Sequence, residues 1–132
     1  MNGKNREGNA AIHLAAQGGH LECIEELVKA GADVALTGKG KTSTVILAST
    51  YGHLRVVKYL LENGGKILRR DKFGRSALMM AVRNGNVDVA SYLLMNGAEF
   101  NGTDSSKNSC IHYAAAYGFT ECIDLLIRAG AD

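Results

Sequence analysis

Apolar residues recur along the chain in four one-sided stretches: Leu21, Ile24, Leu27 and Val28; Leu54, Val57, Leu60 and Leu61; Val87, Ala90, Leu93 and Leu94; and Thr120, Ile123, Leu126 and Ile127. Spacings of three and four place each set on one face of a helix of about ten residues. A shorter helical segment precedes each: Ala10 to Gln17, Ser43 to Thr50, Ser76 to Arg83 and Ser109 to Ala116, with the small residues Ala15, Ala48, Ala81 and Ala114 at tightly packed positions. Glycines punctuate the pattern. Gly19, Gly52, Gly85 and Gly118 fall between the two helices of each set, and Gly31, Gly64, Gly97 and Gly130 close it, a 33-residue shift with no insertion. The 132 residues thus predict an all-α array of four helix pairs, each unable to bury its apolar face alone. Three short helices begin at a serine, a side chain that accepts the orphan N–H groups of a first turn; Ala10 lacks that group, so the first unit is expected to begin more loosely.

Composition narrows the class. With 46% apolar and 21% charged residues the chain is of globular type, and no apolar run approaches the length needed to cross a bilayer. Three cysteines and a polar start, Met1 to Asn9, argue against a disulfide framework and point to a reducing compartment, cytosol or nucleus. The net charge of +2 hides an asymmetry. From Gly38 to Arg75, nine bases (Lys39, Lys41, Arg55, Lys58, Lys66, Arg69, Arg70, Lys72 and Arg75) face only Glu62 and Asp71. Such a belt is either solvated surface or a clue to the partner.

Ala11-Ile12-His13-Leu14-Ala15-Ala16 and Cys110-Ile111-His112-Tyr113-Ala114-Ala115 resemble the ankyrin signature T-P-L-H-x-A, whose period is 33. Gly19-His20-Leu21-Glu22, Gly52-His53-Leu54, Gly31-Ala32-Asp33, Gly97-Ala98-Glu99 and Gly130-Ala131-Asp132 are similar to the family's turn between helices and its exit from the second helix. The resemblance covers the chain from about Asn5 and implies an ankyrin repeat solenoid with projecting β-hairpin loops. The units would run 5–37, 38–70, 71–103 and 104–132 after a tail of residues 1–4. Departures are informative. Pro is replaced by Ala11, Thr44, Ala77 and Cys110, and the family histidine by Ile46 and Met79, so that only Ser109 with His112 can reproduce the hydroxyl–imidazole pair the resemblance implies. The second unit also carries Lys41 at a hairpin glycine and Gly65-Lys66 in place of Ala-Asp, which predicts the weakest unit and a mobile hairpin, Gly38 to Thr42.

Catalytic and metal chemistry find little support. Gly40-Lys41-Thr42 suggests a phosphate loop, but the leading glycine would be Ala35 and the helix that follows is too short. Cys23 and Cys122 share a register with Val56 and Val89, an apolar slot, and no spacing among Cys23, Cys110, Cys122, His13, His20, His53 and His112 converges four metal ligands. Cys110 and His112 face different directions on a helix, which disfavours a nucleophile–base pair. Glu99-Phe100-Asn101 resembles the setting of a hydroxylated asparagine in some ankyrin domains, making Asn101 a candidate; a turn-forming Asn explains it as simply.

The expected function is therefore that of a non-catalytic protein-binding module without cofactor or metal. Part of a larger enzyme or channel is the first alternative, and nucleic-acid binding a weaker one, given a pI of about 8.5 and Phe73 as the sole aromatic near the bases. By the family's register the partner meets hairpin tips and first-helix ends: Arg6, Glu7, Asn9 and Gln17; Lys39, Thr42, Thr50 and Tyr51; Lys72, Phe73, Arg75, Arg83 and Asn84; Ser105, Ser106, Asn108, Ala116 and Tyr117. Within these, Tyr51, Phe73 and Tyr117 are the expected anchors, and Lys39, Lys72, Arg75 and Arg83 the cations that select an acidic segment. No pocket is expected. The apolar second helix of the last unit, Cys122, Ile123, Leu125, Leu126 and Ile127, suggests further repeats or a weak dimer through that face, with a monomer otherwise.

Overall fold

The computed structural model describes residues 10–131. Within them the chain forms eight α-helices in four pairs: α1 (Ala11–Gly18) with α2 (Leu21–Lys29), α3 (Thr44–Thr50) with α4 (Leu54–Glu62), α5 (Ala77–Arg83) with α6 (Val87–Met95), and α7 (Cys110–Tyr117) with α8 (Thr120–Ala129). The odd-numbered helices pack side by side as an inner layer, and the even-numbered ones stand behind them and approach one another less closely. That difference opens the stack on the outer side and leaves the inner helices lining a concave face. Burial follows the pattern of apolar positions: Ile24, Val56, Val57, Leu60, Val89, Leu93 and Leu126 point inward from the outer layer, and α5, at the centre, buries every residue from Ala77 to Val82.

The residue just before each of the outer helices α4, α6 and α8 reaches back to the pair before it. His53 donates from Nε2 to the carbonyl of Gln17 at 2.9 Å, and Asn86 donates from Nδ2 to the carbonyls of Ser49 and Thr50, both at 3.0 Å. These acceptors are orphan carbonyls at the end of the preceding inner helix. The side chains can arrive only because Gly19 and Gly52 lie beneath them: a Cβ at Gly19 would meet His53 at 2.6 Å and one at Gly52 would meet Asn86 at 2.9 Å, and both glycines have positive φ. At the next seam Phe119 covers Gly85 in the same way but offers no donor; it stacks on Tyr117 at 6.3 Å instead.

A second tie runs between inner helices and neighbouring loops. His13, fully buried, accepts the Ala10 N–H at Nδ1 (3.0 Å) and donates from Nε2 to the carbonyl of Leu36 at 2.7 Å. Ala10 is thus held by an imidazole despite lacking a hydroxyl, contrary to the looser start expected for α1. In the second pair Ile46 cannot make this bond, and Thr44 Oγ1 donates to the Val34 carbonyl at 2.7 Å in its stead. Ser43 and Ser76 accept from the N–H groups of Ile46 and Met79, and Ser109 Oγ lies 2.8 Å from His112 Nδ1, the pair anticipated from the sequence.

Several expectations are corrected. The projecting hairpins contain no strand among the described residues; Arg70 and Ser76 form an isolated bridge, and Lys39–Lys41 forms a single 3₁₀ turn. Backbone bonds join successive tips instead, Lys72 N–H to the Gly40 carbonyl at 2.8 Å and Ser105 N–H to the Phe73 carbonyl at 2.9 Å. Cys23 is exposed although its register mates Val56, Val89 and Cys122 are buried, because α2 has no earlier outer helix against it among the described residues. In α8, Cys122 and Leu126 face inward, Ile123 and Leu125 are half-buried, and Ile127 is exposed.

The second unit carries two visible penalties. Lys41 adopts φ 60°, and Lys107, its equivalent two units on, adopts 66°, where the intervening unit has Gly74 at 74°. Ser49 Oγ is buried and, among the described residues, lacks a hydrogen-bond partner, a defect that costs about 1–3 kcal/mol.

Two predictions follow from this packing. Lys41→Gly and Lys107→Gly should each raise unfolding stability in urea by about 0.5–1 kcal/mol, since a left-handed residue with a Cβ costs roughly 1–2 kcal/mol and glycine's looser unfolded chain offsets part of the gain. A loss at either position would contradict the assigned strain. In native-state alkylation Cys23 should react first. Burial pushes the Cys110 thiol up to about 12 and raises that of Cys122 as well, so both should label only on unfolding; equal labelling of Cys23 and Cys122 would contradict the packing of α8.

Candidate protein-binding groove

The concave face begins with its loops. Asp71 and Asp104, 33 residues apart, open two hairpins and wire them alike. Asp71 Oδ1 accepts the N–H groups of Phe73 and Arg75, each at 2.9 Å, and its Oδ2 accepts from Arg75 Nε at 2.8 Å. Asp104 Oδ1 accepts the N–H groups of Ser106 and Asn108, each at 2.9 Å, while its Oδ2 accepts from the Tyr113 hydroxyl. Partial desolvation acts to raise the Asp104 carboxyl, but the Tyr113 hydroxyl, the two backbone N–H groups and nearby Arg75 outweigh it and hold the group below its ordinary 3.8. Burial, helped by the same carboxylate, pushes the Tyr113 phenol up to about 12. The hairpin of the second unit has Gly38 at this register, and a 3₁₀ turn replaces the carboxylate brace.

Between the hairpins 38–42 and 71–75 and the helices α3 and α5 lies an open groove of about 520 Å³. This corrects the expectation of a surface without pockets. Ile46, Leu47 and Met80 form an apolar floor; Thr42, Thr50 and Tyr51 flank it; Lys39, Lys72, Phe73, Arg75 and Arg83 bring charge and a second ring to its rim. Eight of the eighteen residues expected on the partner surface, Lys39, Thr42, Thr50, Tyr51, Lys72, Phe73, Arg75 and Arg83, therefore line one depression. Tyr117 stands outside it but adjoins Arg83, whose Nε donates to the Tyr117 hydroxyl at 3.4 Å and whose guanidinium lies 5.9 Å from the ring centroid. That hydrogen bond raises the Arg83 pKa. Asn84 is turned away, donating to the Met80 carbonyl of its own helix at 2.9 Å. Asn101 is exposed in the loop after α6 and does not line this groove, and Arg6, Glu7 and Asn9 lie outside the described residues.

The basic belt does not act as one surface. Arg69 Nη1 donates to the Ala35 carbonyl at 3.0 Å, and Arg70 Nη1 to the carbonyls of Thr103 at 2.7 Å and Gly74 at 3.1 Å, so both are struts between neighbouring units. Arg70 also sits 3.7 Å from Glu99. Lys58 lies on the outer helix α4 with its ammonium 5.4 Å from the Tyr92 centroid. Of the belt, Lys39, Lys72 and Arg75 line the groove. Sequence reasoning missed the floor: Leu14, Leu47, Met80 and Tyr113 recur at the 33-residue period along the concave face, an apolar row whose periodicity was available to find it.

The chain belongs to the ankyrin repeat family: the family profile of ankyrin repeats, three copies, matches residues 1–71 and again 46–132. Members of this family are in general protein–protein interaction modules. Among individual proteins, Synphilin-1 of Mus musculus is 53% identical over 32 residues, a segment that makes up 24% of this chain and 3% of that protein. The chain thus spans a small fraction of the relative it matches. No helix among the described residues is long and apolar enough to cross a membrane, and no group of histidine, cysteine and carboxylate side chains among them is placed to hold a metal ion.

The Asp104 brace predicts an acid-sensitive hairpin. Because its pKa is lowered in the folded chain, its contribution is complete above the ordinary carboxylate value of 3.8 and is lost as the pH falls through the lower folded value. Asp104→Asn should destabilise the chain in urea unfolding at neutral pH, and the deficit should shrink in strongly acidic buffer. A deficit independent of pH would contradict the role given to the charge.

Proposed function

We propose that this chain is a non-catalytic interaction module that binds a partner protein in the groove between its second and third helix pairs. The observation that carries the reading is the coincidence, in one depression, of an apolar floor, the exposed ring of Tyr51 and the cations of Lys39, Lys72, Arg75 and Arg83. Aromatic and arginine side chains around a desolvated centre are the residue mix of interface hot spots. The repeats run 5–37, 38–70, 71–103 and 104–132 on this reading, and the binding face is made by the second and third. An acidic segment of the partner fits the excess of positive charge, which also speeds association.

A regulatory or targeting role within a larger polypeptide is compatible with the same groove and differs only in where the partner resides. Nucleic-acid binding is less well supported, since Arg69 and Arg70 are committed to neighbouring carbonyls and the belt divides between two faces.

The test is cross-linking mass spectrometry on material retained by the immobilised chain, followed by alanine substitution against the partner so found. Tyr51→Ala and Arg83→Ala should each weaken binding by about 2 kcal/mol. Arg55→Ala and Lys58→Ala, on the outer helix, should leave it within about 0.5 kcal/mol of the parent chain. The opposite pattern would refute the choice of face.

A further inference from the structure

Phe73 is half exposed at a hairpin tip, and two cations lie over its ring: Lys72 Nζ is 5.1 Å from the centroid and the Arg75 guanidinium carbon 4.9 Å. The backbone that carries the ring is tied on both sides. Its N–H is bound to Asp71 Oδ1 and its carbonyl accepts from Ser105, while Arg75 is tied to Asp71 through both its backbone N–H and Nε. Two like charges held this close repel. The negative face of the aromatic ring and the buried Asp71 carboxylate offset that repulsion and keep both cations at the groove's rim.

Arg83 from the end of α5 also lines the groove, so that among the described lining residues Lys72, Arg75 and Arg83 stand with one carboxylate, Asp71, which is already bonded to Arg75. Beneath them Ile46, Leu47 and Met80 form a floor that a purely anionic ligand would not use, while a purely apolar ligand would bury the cations uncompensated. Both demands are met by a chain segment that alternates the two chemistries.

Resting on the reading of this groove as the partner site, we propose that its occupant is an acidic peptide segment in which an apolar side chain sits between carboxylates. Phe73 then serves as a positioning residue that presents Lys72 and Arg75 to those carboxylates, and Tyr51 and the floor receive the apolar side chain. This differs from the sequence expectation, in which Phe73 was itself an anchor. Lys72 and Arg75 already lie against the ring that an anchor would offer.

Random peptides displayed on phage and selected on the full chain test the proposal directly, with labelled synthetic copies of the enriched peptides measured by fluorescence anisotropy across a salt series. Enrichment of acidic residues around a central apolar one is expected, with binding that weakens as salt rises. Phe73→Leu should lower affinity about tenfold and flatten the salt dependence, Phe73→Tyr should restore both, and Lys72→Gln should mimic the leucine variant. Tyr51→Ala should lower affinity with the salt dependence intact. Enriched peptides that need Tyr51 and Arg83 but lack acidic residues would overturn the proposal and leave the groove reading standing. Peptides indifferent to every groove substitution would overturn both. Random single-stranded DNA competing better than the acidic peptides would overturn the proposal in favour of nucleic acid. Unchanged affinity and salt response in Phe73→Leu would overturn the positioning role.

Discussion

The bond from the residue that precedes one outer helix back to the carbonyls at the end of the previous inner helix is the constraint on which the rest of the structure depends. No helix pair here buries its apolar face alone, so the stack must be held in register by something directional, and His53 and Asn86 supply it over Gly19 and Gly52. Once the second and third pairs are fixed at that seam, their hairpins come close enough for Lys72 to reach Gly40; at the next seam, where Phe119 packs over Gly85, Ser105 reaches Phe73. The groove is the space left between hairpins so aligned and the inner helices behind them. Function on this account follows from stacking geometry as much as from the residues on the rim.

The same geometry explains where the array is uneven. At the last seam Phe119 replaces a donor, exchanging hydrogen bonds for a ring stacked on Tyr117. Where Ile46 replaces the imidazole, Thr44 carries the bridge to the preceding unit, and Ile46 becomes available as groove floor. Of the departures that mark the second unit as irregular in sequence, Ile46 lines the groove, while Lys41, Thr44, Gly65 and Lys66 do not.

Period, helix pairing and the glycine turns could be read from the amino acids because each repeats a backbone requirement every 33 residues. Most of the rim could be read for the same reason, as register assigns Lys39, Tyr51, Lys72, Phe73, Arg75 and Arg83 to hairpin tips and helix ends. The wiring could not. Whether Arg69 and Arg70 face a partner or brace a neighbour depends on carbonyls 34 and 33 residues away, and a run of bases looks the same in either case. Cys23 illustrates the complementary failure: an apolar slot by register is a buried one only if something stacks against it.

Amide hydrogen exchange tests the link between seam and groove most directly. In the parent chain the N–H groups of Lys72 and Ser105 are both bonded across hairpins, one between the second and third units and the other between the third and fourth. Asn86→Ala removes the donor at the first of these seams only. If the seam sets the alignment of the hairpins, exchange at Lys72 should accelerate while that at Ser105 stays near the parent rate. Equal acceleration at both amides, or none at Lys72, would contradict the account.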